Sequence, residues 1–336
     1  MKKKKPARSK TEREHDNFFR GVFSVKEIAV AHLRDALPAV LVADLQLDGL
    51  QLLSESYVDT DLKAGFSDVV WQCLLRSGRA VKVTFLFEHK SGLPEQHIAI
   101  QLIQYVLGIW QKDVANGADL SFVVPIVVYH GQRKWSNSSL WEEFRGLPNH
   151  FRRFLPEMDY ILTDLNTVPV ELIKTKNDLG ALRSVYLAFK FAYDEVQLEK
   201  NFRDIIIFVG RSGNPVMDHL LMDMVFTYVQ KRMQMDFQEL ENLIETLPDD
   251  SKSIAMSTYD KVLAKGIEKG MEKGMERGIE KGIEKGIEKG IEMKAREFVV
   301  NLIRSTDWND ARIALLAGVG EELVRDIRQQ EQRASQ

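Results

Sequence analysis

Three side chains that could bind a metal and a phosphate lie between residues 67 and 90. Asp68 begins one run of β-branched and aromatic residues, and Glu88 and Lys90 follow the next run. A short polar break that contains Gly78 separates the two runs, which is typical of a β-hairpin. The start of one antiparallel strand lies beside the end of its partner, and alternate side chains share a face. We therefore expect Asp68, Glu88 and Lys90 to converge on one patch.

Two carboxylates and an ammonium group in such a patch could act on a phosphodiester. Carboxylate oxygens on rigid strands suit Mg²⁺, which keeps several of its waters and leaves room for a phosphate. Such an ion polarises the phosphoryl oxygen and lowers the pKa of a coordinated water. A lysine beside it can orient that water or stabilise the charge that develops on the phosphate. The alternative is that Asp68 only starts a strand and that residues 88–90 only leave the sheet.

Two further segments accompany this pattern. Asp68…Glu88-His89-Lys90 resembles the motif of the PD-(D/E)XK nuclease superfamily, with Ser67 where the superfamily name has proline. His15-Asp16-Asn17-Phe18-Phe19 and Tyr129-His130-Gly131 resemble segments of the Rpn family of recombination-promoting nucleases, also named YhgA-like transposases (Transposase_31). The resemblance covers roughly residues 11–170 well and the helical remainder loosely.

This resemblance implies a fold, an activity and a site. The fold is α/β, with a restriction-endonuclease-like PD-(D/E)XK core (a mixed central sheet flanked by helices) and a helical C-terminal region. The activity is that of a metal-dependent DNA endonuclease, which promotes recombination or acts on mobile or foreign DNA. Asp68 and Glu88 would bind Mg²⁺, with Mn²⁺ or Ca²⁺ as alternatives, and Lys90 is the third motif residue. Gln101, four residues before Tyr105, resembles a glutamine that lines the site in RecB-like members; simple helix packing is the alternative.

The segments after the hairpin support an α/β core. A helix is predicted from Glu95 to Val114, and a strand buried on both faces from Ser121 to His130. Pro125 indicates that this strand lies at an edge or contains a bulge. One of three carboxylates before the hairpin could add a metal ligand, and their spacing does not choose among them: Glu55, Asp59 and Asp61.

Composition bounds the class of protein. With 336 residues and 44% hydrophobic content, the chain is ordinary for a globular protein of one large or two smaller domains. The net charge of -3 does not favour nucleic acid as a partner, although the N-terminus is sharply basic. The single cysteine, Cys73, lies in an apolar run, which indicates a buried thiol in a reducing compartment. Because the sequence shows no signal peptide and no membrane span, we expect a cytoplasmic protein without membrane association.

The chain divides into five predicted segments. Residues 1–13 form a basic disordered arm, which either contacts phosphates or only aids solubility. Residues 14–167 form the nuclease-like domain, and residues 168–259 a helical accessory region. Residues 260–293 form a tetrapeptide-repeat helix or spacer, and residues 294–336 a C-terminal helical hairpin.

The repeat has the form Gly-(Ile/Met)-Glu-(Lys/Arg) over residues 266–292. On a helix with 3.6 residues per turn each row of like residues drifts by about 40° per repeat, which favours right-handed coiling. Each interior glycine costs roughly 1 kcal/mol relative to alanine, so an isolated helix would be marginal. Packing against a second copy would offset that cost, and we expect a homo-oligomer through the C-terminal region. A repeat whose length is free to vary is the alternative.

The C-terminal hairpin has the spacing of a helix-turn-helix at Ala314, Gly318 and Val324. Its second helix would begin with Glu321 and Glu322, which match a phosphate-lined groove poorly. DNA binding by this hairpin and a purely structural hairpin therefore remain alternatives.

Two functions of different classes follow. The first is the Mg²⁺-dependent DNA endonuclease. The second is a catalytically degenerate DNA-binding adaptor or oligomeric structural protein, in which the basic arm and the hairpin bind DNA. A transposase that joins DNA ends would need a third carboxylate on an RNase-H-like fold, and no residue in the sequence marks one.

Overall fold

The computed structural model describes residues 9–53, 69–77, 82–91, 97–135, 139–175, 180–210, 214–233 and 235–334, with the backbone alone at residues 82–88 and 334. The chain divides into two compact units, Met1–Val262 and Leu263–Gln336. The first unit contains the central sheet and the predicted site.

Within the described residues the sheet has five strands in the order β1-β2-β3-β4-β5. β2 (Val69–Leu74) pairs antiparallel with β3 (Lys82–Lys90), as the hairpin pattern predicts, and β1 (Gln51–Leu52) pairs antiparallel with β2. β4 (Phe122–Tyr129) and β5 (Ile161–Asp164) extend the sheet in parallel with β3. The sheet is therefore mixed, and the carboxyl ends of β3, β4 and β5 meet at one edge.

Pro125 lies in a strand that has neighbours on both sides, so the expectation of an edge strand is wrong for β4 as a whole. Pro125 pairs with Leu86 of β3, whereas pairing with β5 begins one residue later, at Ile126. At the proline itself β4 therefore has a neighbour on one side only. A missing N–H is tolerated there because β5 has not yet begun.

Cys73 lies on β2 and is 3% exposed, which confirms the prediction of a buried thiol. Burial raises the pKa of this thiol to about 11. A thiol in this state is protonated at neutral pH and a poor nucleophile, so Cys73 contributes packing rather than chemistry.

One face of the sheet packs against α4 (Ile98–Ala115). His97 caps this helix, since its Nδ1 accepts a hydrogen bond from the backbone N–H of Ala99 at 3.2 Å. The apolar stripe of the helix is buried against the middle of β4 and the start of β2. This cluster contains Val70, Ile98, Leu102, Tyr105, Ile109, Val127, Tyr129 and Trp135.

The opposite face of the sheet packs against α1 (Lys10–Phe23). Trp71, which alternates with Val70 along β2, donates its indole N–H to the carbonyl of Phe23 at 2.8 Å. A capping box between Ser9 and Glu12 starts α1. The helix therefore begins inside the segment that the sequence predicts as a basic arm; residues 1–8 of that segment lie outside the described part.

The segment after β5 is helical, as predicted, and residues 204–209 belong to a helix. α8 (Pro215–Arg232) is joined to α1 by an ion pair between Arg232 and Glu14, both largely buried. The other α-helices that lie wholly within the described part of this unit are α2 (Lys26–Ala36), α3 (Ala39–Asp44), α5 (Val170–Thr175), α6 (Gly180–Lys190), α7 (Glu195–Val209) and α9 (Phe237–Glu245).

The repeat lies in one long helix, α10 (Asp249–Ser305), and α11 (Asp310–Ala317) and α12 (Glu321–Ala334) form the predicted hairpin. Gly318 ends α11 with φ of 66°, as the turn requires. The hairpin has a small core of its own: Val299, Ile313, Ala314, Val324 and Ile327. No helix in the described part of the chain is both long enough and apolar enough to cross a membrane.

Candidate active site

The ammonium group of Lys90, at the end of β3, is held by a glutamine of α4. Lys90 Nζ donates to Gln101 Oε1 at 2.9 Å, and Gln101 Nε2 donates to Tyr105 OH at 3.1 Å. Gln101 and Tyr105 are 5% and 4% exposed and lie one turn apart on the sheet-facing side of α4. The structure thus brings two of the four predicted catalytic residues, Lys90 and Gln101, into one chain of hydrogen bonds.

The other two predicted residues are less fully described. Glu88 is in β3 at the position paired with Val127, and its side chain is outside what the structure describes. Asp68 lies outside the described residues; the next residue, Val69, pairs with Phe87. The metal-binding roles of Asp68 and Glu88 therefore stay predictions. The three carboxylates considered as further ligands also lie outside the described part: Glu55, Asp59 and Asp61.

A metal site here depends on these two carboxylates. Among the side chains that the structure describes, no group of three His, Cys, Asp or Glu residues is arranged to hold a metal ion. The chemistry of the donor set fits Mg²⁺, because two carboxylates supply hard oxygen ligands and leave positions for water and phosphate. The Lys90 ammonium, bonded to the neutral amide of Gln101, has no lone pair to offer a metal and is placed instead to act on an anion.

Four polar residues form a cluster on the other face of β3, and we call His15, Asp16, His89 and His130 the histidine cluster. His89 Nδ1 lies 3.1 Å from Asp16 Oδ1, and His89 Nε2 lies 2.8 Å from His130 Nε2. Because a carboxylate only accepts, we assign the His89 proton to Nδ1. The Nε2 atoms of His89 and His130 share a hydrogen bond, so a chain of hydrogen bonds runs from α1 through β3 to the end of β4.

Burial keeps two members of the cluster, His15 and His130, uncharged at neutral pH. His15 is fully buried, and its Nδ1 lies 2.7 Å from the hydroxyl of Tyr228 on α8. Burial, with the neighbouring His89 and Arg232 as lesser causes, lowers the pKa of His15 to about 3. Burial likewise lowers the pKa of His130 well below its ordinary value, with His89 and His15 as additional causes. At neutral pH these side chains therefore act as hydrogen-bonding groups rather than as charges.

Gly131 is required where the chain leaves β4. A Cβ at this position would lie 2.6 Å from the ring of Tyr129, closer than atoms can approach. The Tyr129 hydroxyl in turn donates to the carbonyl of Arg133, and Asn166 Nδ2 donates to the carbonyl of Gly131 at 2.6 Å. The segment from Tyr129 to Gly131 is thus held in one conformation beside the end of β3.

The histidine cluster joins the three segments that carry the family resemblance, and sequence reasoning missed this. Strand alternation places His89 on the face opposite Glu88 and Lys90, yet it does not say what His89 meets there. The available signal was the occurrence of His15-Asp16 and His130 beside strongly apolar residues, because buried polar side chains need partners. Which histidine bonds to which is visible only in the folded chain.

A family model described as "Putative transposase, YhgA-like" matches residues 13–208, more than half of the chain. This chain belongs to that family. Every family segment quoted from the sequence lies within the matched range, including His15-Asp16, the Glu88-His89-Lys90 motif and Tyr129-His130-Gly131. The recognition made from the sequence is therefore confirmed.

Relatives of this YhgA-like chain in Escherichia coli have names that refer to nucleases. It is 29% identical to recombination-promoting nuclease RpnD of strain O157:H7 over 162 residues. The aligned residues cover 47% of this chain and 61% of RpnD. It is 27% identical over 173 residues to recombination-promoting nuclease RpnA of strain K12, covering 51% and 58%. A third relative, the inactive recombination-promoting nuclease-like protein RpnE of strain K12, is 28% identical over 179 residues, covering 53% and 59%.

The chain thus spans about three fifths of the length of these relatives. No solved structure matches it.

Proposed function

We propose that this chain is a metal-dependent DNA endonuclease with a PD-(D/E)XK core. The observation that carries the proposal is the hydrogen bond from Lys90 to Gln101, which joins the end of the hairpin to the sheet-facing side of α4. The mixed sheet flanked by helices is compatible with such a core. The names of RpnD and RpnA support nuclease activity in the family.

Lys90 and Gln101 have distinct roles in this proposal. The ammonium of Lys90 orients the attacking water or stabilises the negative charge that develops on the scissile phosphate. Gln101 is a positioning residue: its oxygen holds the ammonium, while its amide group is itself held by Tyr105. The buried amide is fixed in one orientation by this second bond, so the lysine does not have to be ordered when DNA binds.

Asp68 and Glu88 would hold the metal, Mg²⁺ in the first place and Mn²⁺ or Ca²⁺ as alternatives. When bound, the metal would supply a positive charge that polarises the scissile phosphate. The biological substrate would be DNA that undergoes recombination, or mobile or foreign DNA; the relatives' names refer to recombination and the family description to a transposase.

Cleavage of supercoiled plasmid tests the assignment. The wild-type chain should nick or linearise plasmid with Mg²⁺ and fail to do so with EDTA. Glu88→Ala and Asp68→Ala should lose this activity by at least about 100-fold, because each removes a metal ligand. Glu199→Ala, at an exposed carboxylate of α7, is the matched control and should cleave normally. Wild-type rates in both site variants would refute the assignment.

The adaptor function is the second candidate, and the relative named as inactive, RpnE, keeps it in consideration. It requires DNA binding that depends on salt but not on Asp68 or Glu88. A folded wild-type chain that binds plasmid without cutting it in Mg²⁺ or Mn²⁺ would favour this function over the endonuclease.

We also propose that the chain forms a homo-oligomer through α10. The apolar side chains of the repeat are 57–69% exposed, for example Ile267 and Met271, and no neighbouring atoms lie within 4 Å of where a Cβ would stand on its seven glycines. A helix with so many interior glycines and an uncovered apolar row gains stability when another helix covers that row.

A further inference from the structure

The end of β3 is held from the face of the sheet opposite to Gln101 as well. Lys90 is the last residue of β3, and Ser91 is the first residue beyond it. The ammonium of Lys90 lies on the α4 side, where Gln101 accepts a hydrogen bond from it. The position of this ammonium depends on the backbone from which the side chain extends, so a group that fixes the backbone here also acts on Lys90.

Two hydrogen bonds fix the backbone at this point. The backbone N–H of His130 donates to the carbonyl of Lys90 at 3.1 Å, which continues the pairing of β3 with β4. The hydroxyl of Tyr193 donates to the carbonyl of Ser91 at 3.0 Å. This second bond comes from a side chain 102 residues further along the chain. Tyr193 thus holds the chain just where it leaves the sheet.

Tyr193 lies in the short turn between α6 and α7, and this turn is itself held in place. The backbone N–H of the next residue, Asp194, donates to the carbonyl of Phe191 at 2.9 Å. The carboxylate of Asp194 caps α7 by accepting from the backbone N–H of Gln197 at 3.0 Å. A turn of a few residues with both of these bonds gives the backbone of Tyr193 little freedom.

The ring of Tyr193 is oriented by two members of the histidine cluster. It stacks on His130, with ring centroids 5.7 Å apart and an angle of 19° between the planes, and it packs on His15 at 5.1 Å. Both histidines are buried, whereas Tyr193 is 38% exposed. The ring therefore rests on fixed neighbours at the border of the cluster, and its hydroxyl can be removed without opening the core.

We propose that Tyr193 is a positioning residue that holds the end of β3 so that the ammonium of Lys90 stays at Gln101. Gln101 acts on the ammonium from one face of the sheet, and Tyr193 acts on the backbone from the other. A hydroxyl that donates to a backbone carbonyl exerts its effect on cleavage through Lys90 rather than on the phosphate. This proposal rests on the proposed nuclease function and extends the functional site into the turn between α6 and α7.

Tyr193→Phe tests the proposal, because it removes the hydroxyl and keeps the ring on the histidine cluster. In the full chain, kcat for Mg²⁺-dependent plasmid cleavage should fall by about fivefold, the factor that one hydrogen bond of ordinary strength represents, while KM for DNA stays unchanged. Tyr259→Phe is the matched control and should cleave at the wild-type rate. The hydroxyl of Tyr259 also donates to a backbone carbonyl, that of Phe237 at the start of α9, at 3.1 Å.

A double-mutant cycle separates an action through Lys90 from a general effect on the fold. In the Lys90→Met background, Tyr193→Phe should change the remaining kcat by less than about twofold. An equal fall in kcat in both backgrounds would overturn the proposal, because Tyr193 would then act on the fold as a whole. A rise in KM in place of the fall in kcat would also overturn it, because Tyr193 would then contact DNA itself.

The rate at which lysines are acylated gives a readout that needs no cleavage. With an amine-acylating reagent and detection by mass spectrometry, Lys90 should react about fivefold faster in Tyr193→Phe than in the wild type, because its amino group leaves Gln101 more often. Lys261, which is half-exposed and paired with Asp223, is the internal reference. Unchanged acylation of Lys90 would overturn the positioning role even in a chain that cleaves DNA. Faster acylation in a chain that does not cleave DNA would support the positioning of Lys90 and refute the endonuclease instead.

Discussion

A lysine helps at a phosphate only while its ammonium is held in position. The side chain of Lys90 has four rotatable bonds, and ordering it on each encounter with DNA would cost conformational entropy. The hydrogen bond to Gln101 orders the Lys90 side chain before any DNA binds. Gln101 can do so because it is buried and hydrogen-bonded on its other side to Tyr105.

At the residue scale the Lys90–Gln101 bond gives the first prediction. Gln101→Leu keeps the volume at that position and removes the acceptor, so kcat for plasmid cleavage should fall by about tenfold to a hundredfold with little change in DNA affinity. Gln104→Leu, on the exposed side of the same helix, is the matched control. In a double-mutant cycle with Lys90→Met, the losses in kcat caused by the two single substitutions should not add in the double variant. Additive losses would mean that Gln101 acts independently of Lys90.

The histidine cluster gives a prediction about stability and pH. An unfolded His15 takes up a proton near pH 6.5, whereas the folded chain keeps it neutral down to about pH 3. Between these values the unfolded state binds more protons, so His15 removes stability as the pH falls from about 6.5 towards 3. Between these pH values the free energy of unfolding changes by roughly 1.4 kcal/mol per pH unit for each proton that the unfolded state binds in excess.

Urea unfolding at neutral and mildly acidic pH measures this contribution. His15→Asn can keep a polar atom near the Tyr228 hydroxyl and does not titrate, so the variant should lose less stability on acidification than the wild type does. His219→Asn, at an exposed histidine of α8, is the control. Equal acid sensitivity in the wild type and His15→Asn would show that His15 is not held neutral in the folded chain.

At the scale of elements, α10 is arranged in four rows. Successive residues of the repeat lie 100° apart, so the rows of Gly, Ile/Met, Glu and Lys/Arg follow one another around the helix. In a parallel two-fold pair that meets along the Gly and Ile/Met rows, the glycines of one helix oppose the large side chains of the other. The Glu row of each helix then lies on the same side as the Lys/Arg row of its partner. An antiparallel pair places glycine against glycine and like charges together.

We therefore predict a parallel pair with the crossing angle of about −50° that interlocking rows four residues apart favour. Spin labels on Glu268→Cys and, in a second variant, on Glu288→Cys should each report a short distance between copies. An antiparallel pair centred between them would separate like labels by about 30 Å along the axis. The native Cys73 is buried and should take up little label. Long distances in both variants would exclude the parallel arrangement.

The glycine row gives a matched pair of variants for the same interface. Gly278→Leu and Lys281→Leu both add a good helix former, and glycine replacement itself should favour an isolated helix by about 1 kcal/mol. Only Gly278→Leu places a side chain in the row of glycines that packs against the partner's isoleucines in the proposed pair. It should weaken self-association in sedimentation, whereas Lys281→Leu should not. Stronger association of Gly278→Leu would place the glycines outside the interface.

At the scale of the whole molecule, the proposed catalytic residues and the repeat proposed for self-association lie in different units. Lys90, Gln101 and the histidine cluster lie in Met1–Val262, and Leu263–Gln336 has its own small core. Arg328, which a DNA-reading hairpin would present, is bonded within the hairpin to Asp310 at 2.8 Å and to the carbonyl of Trp308. This contact favours a structural hairpin.

Residues 1–262 alone should therefore keep the metal-dependent cleavage of the full chain and lose its self-association. Plasmid cleavage and sedimentation velocity measure the two properties on one preparation. The full chain at the same concentration is the control. A folded fragment that associates like the full chain would remove residues 263–305 of α10 from the interface. A folded fragment that does not cleave would make the site dependent on the second unit.

The sequence by itself determined the local features of this protein. Alternating apolar runs around Gly78 determined the β2–β3 hairpin, the apolar stripe determined α4, and Gly318 marked the end of α11. Lys90 was nominated by its place in the Asp68…Glu88-His89-Lys90 pattern, and Gln101 by its resemblance to a glutamine of RecB-like nucleases. These features depend on interactions within a few residues, which a pattern of side chains records directly.

Only the tertiary structure decided which distant segments meet. His89 and Asp16 are 73 residues apart, and His15 and Tyr228 are 213 apart. No periodicity connects them, because their contact results from packing α1 between the sheet and α8. The position of β4 inside the sheet was likewise set by β5, which begins to pair immediately after Pro125. Local patterns report how each element forms, whereas the burial of polar groups against remote partners depends on how all the elements pack.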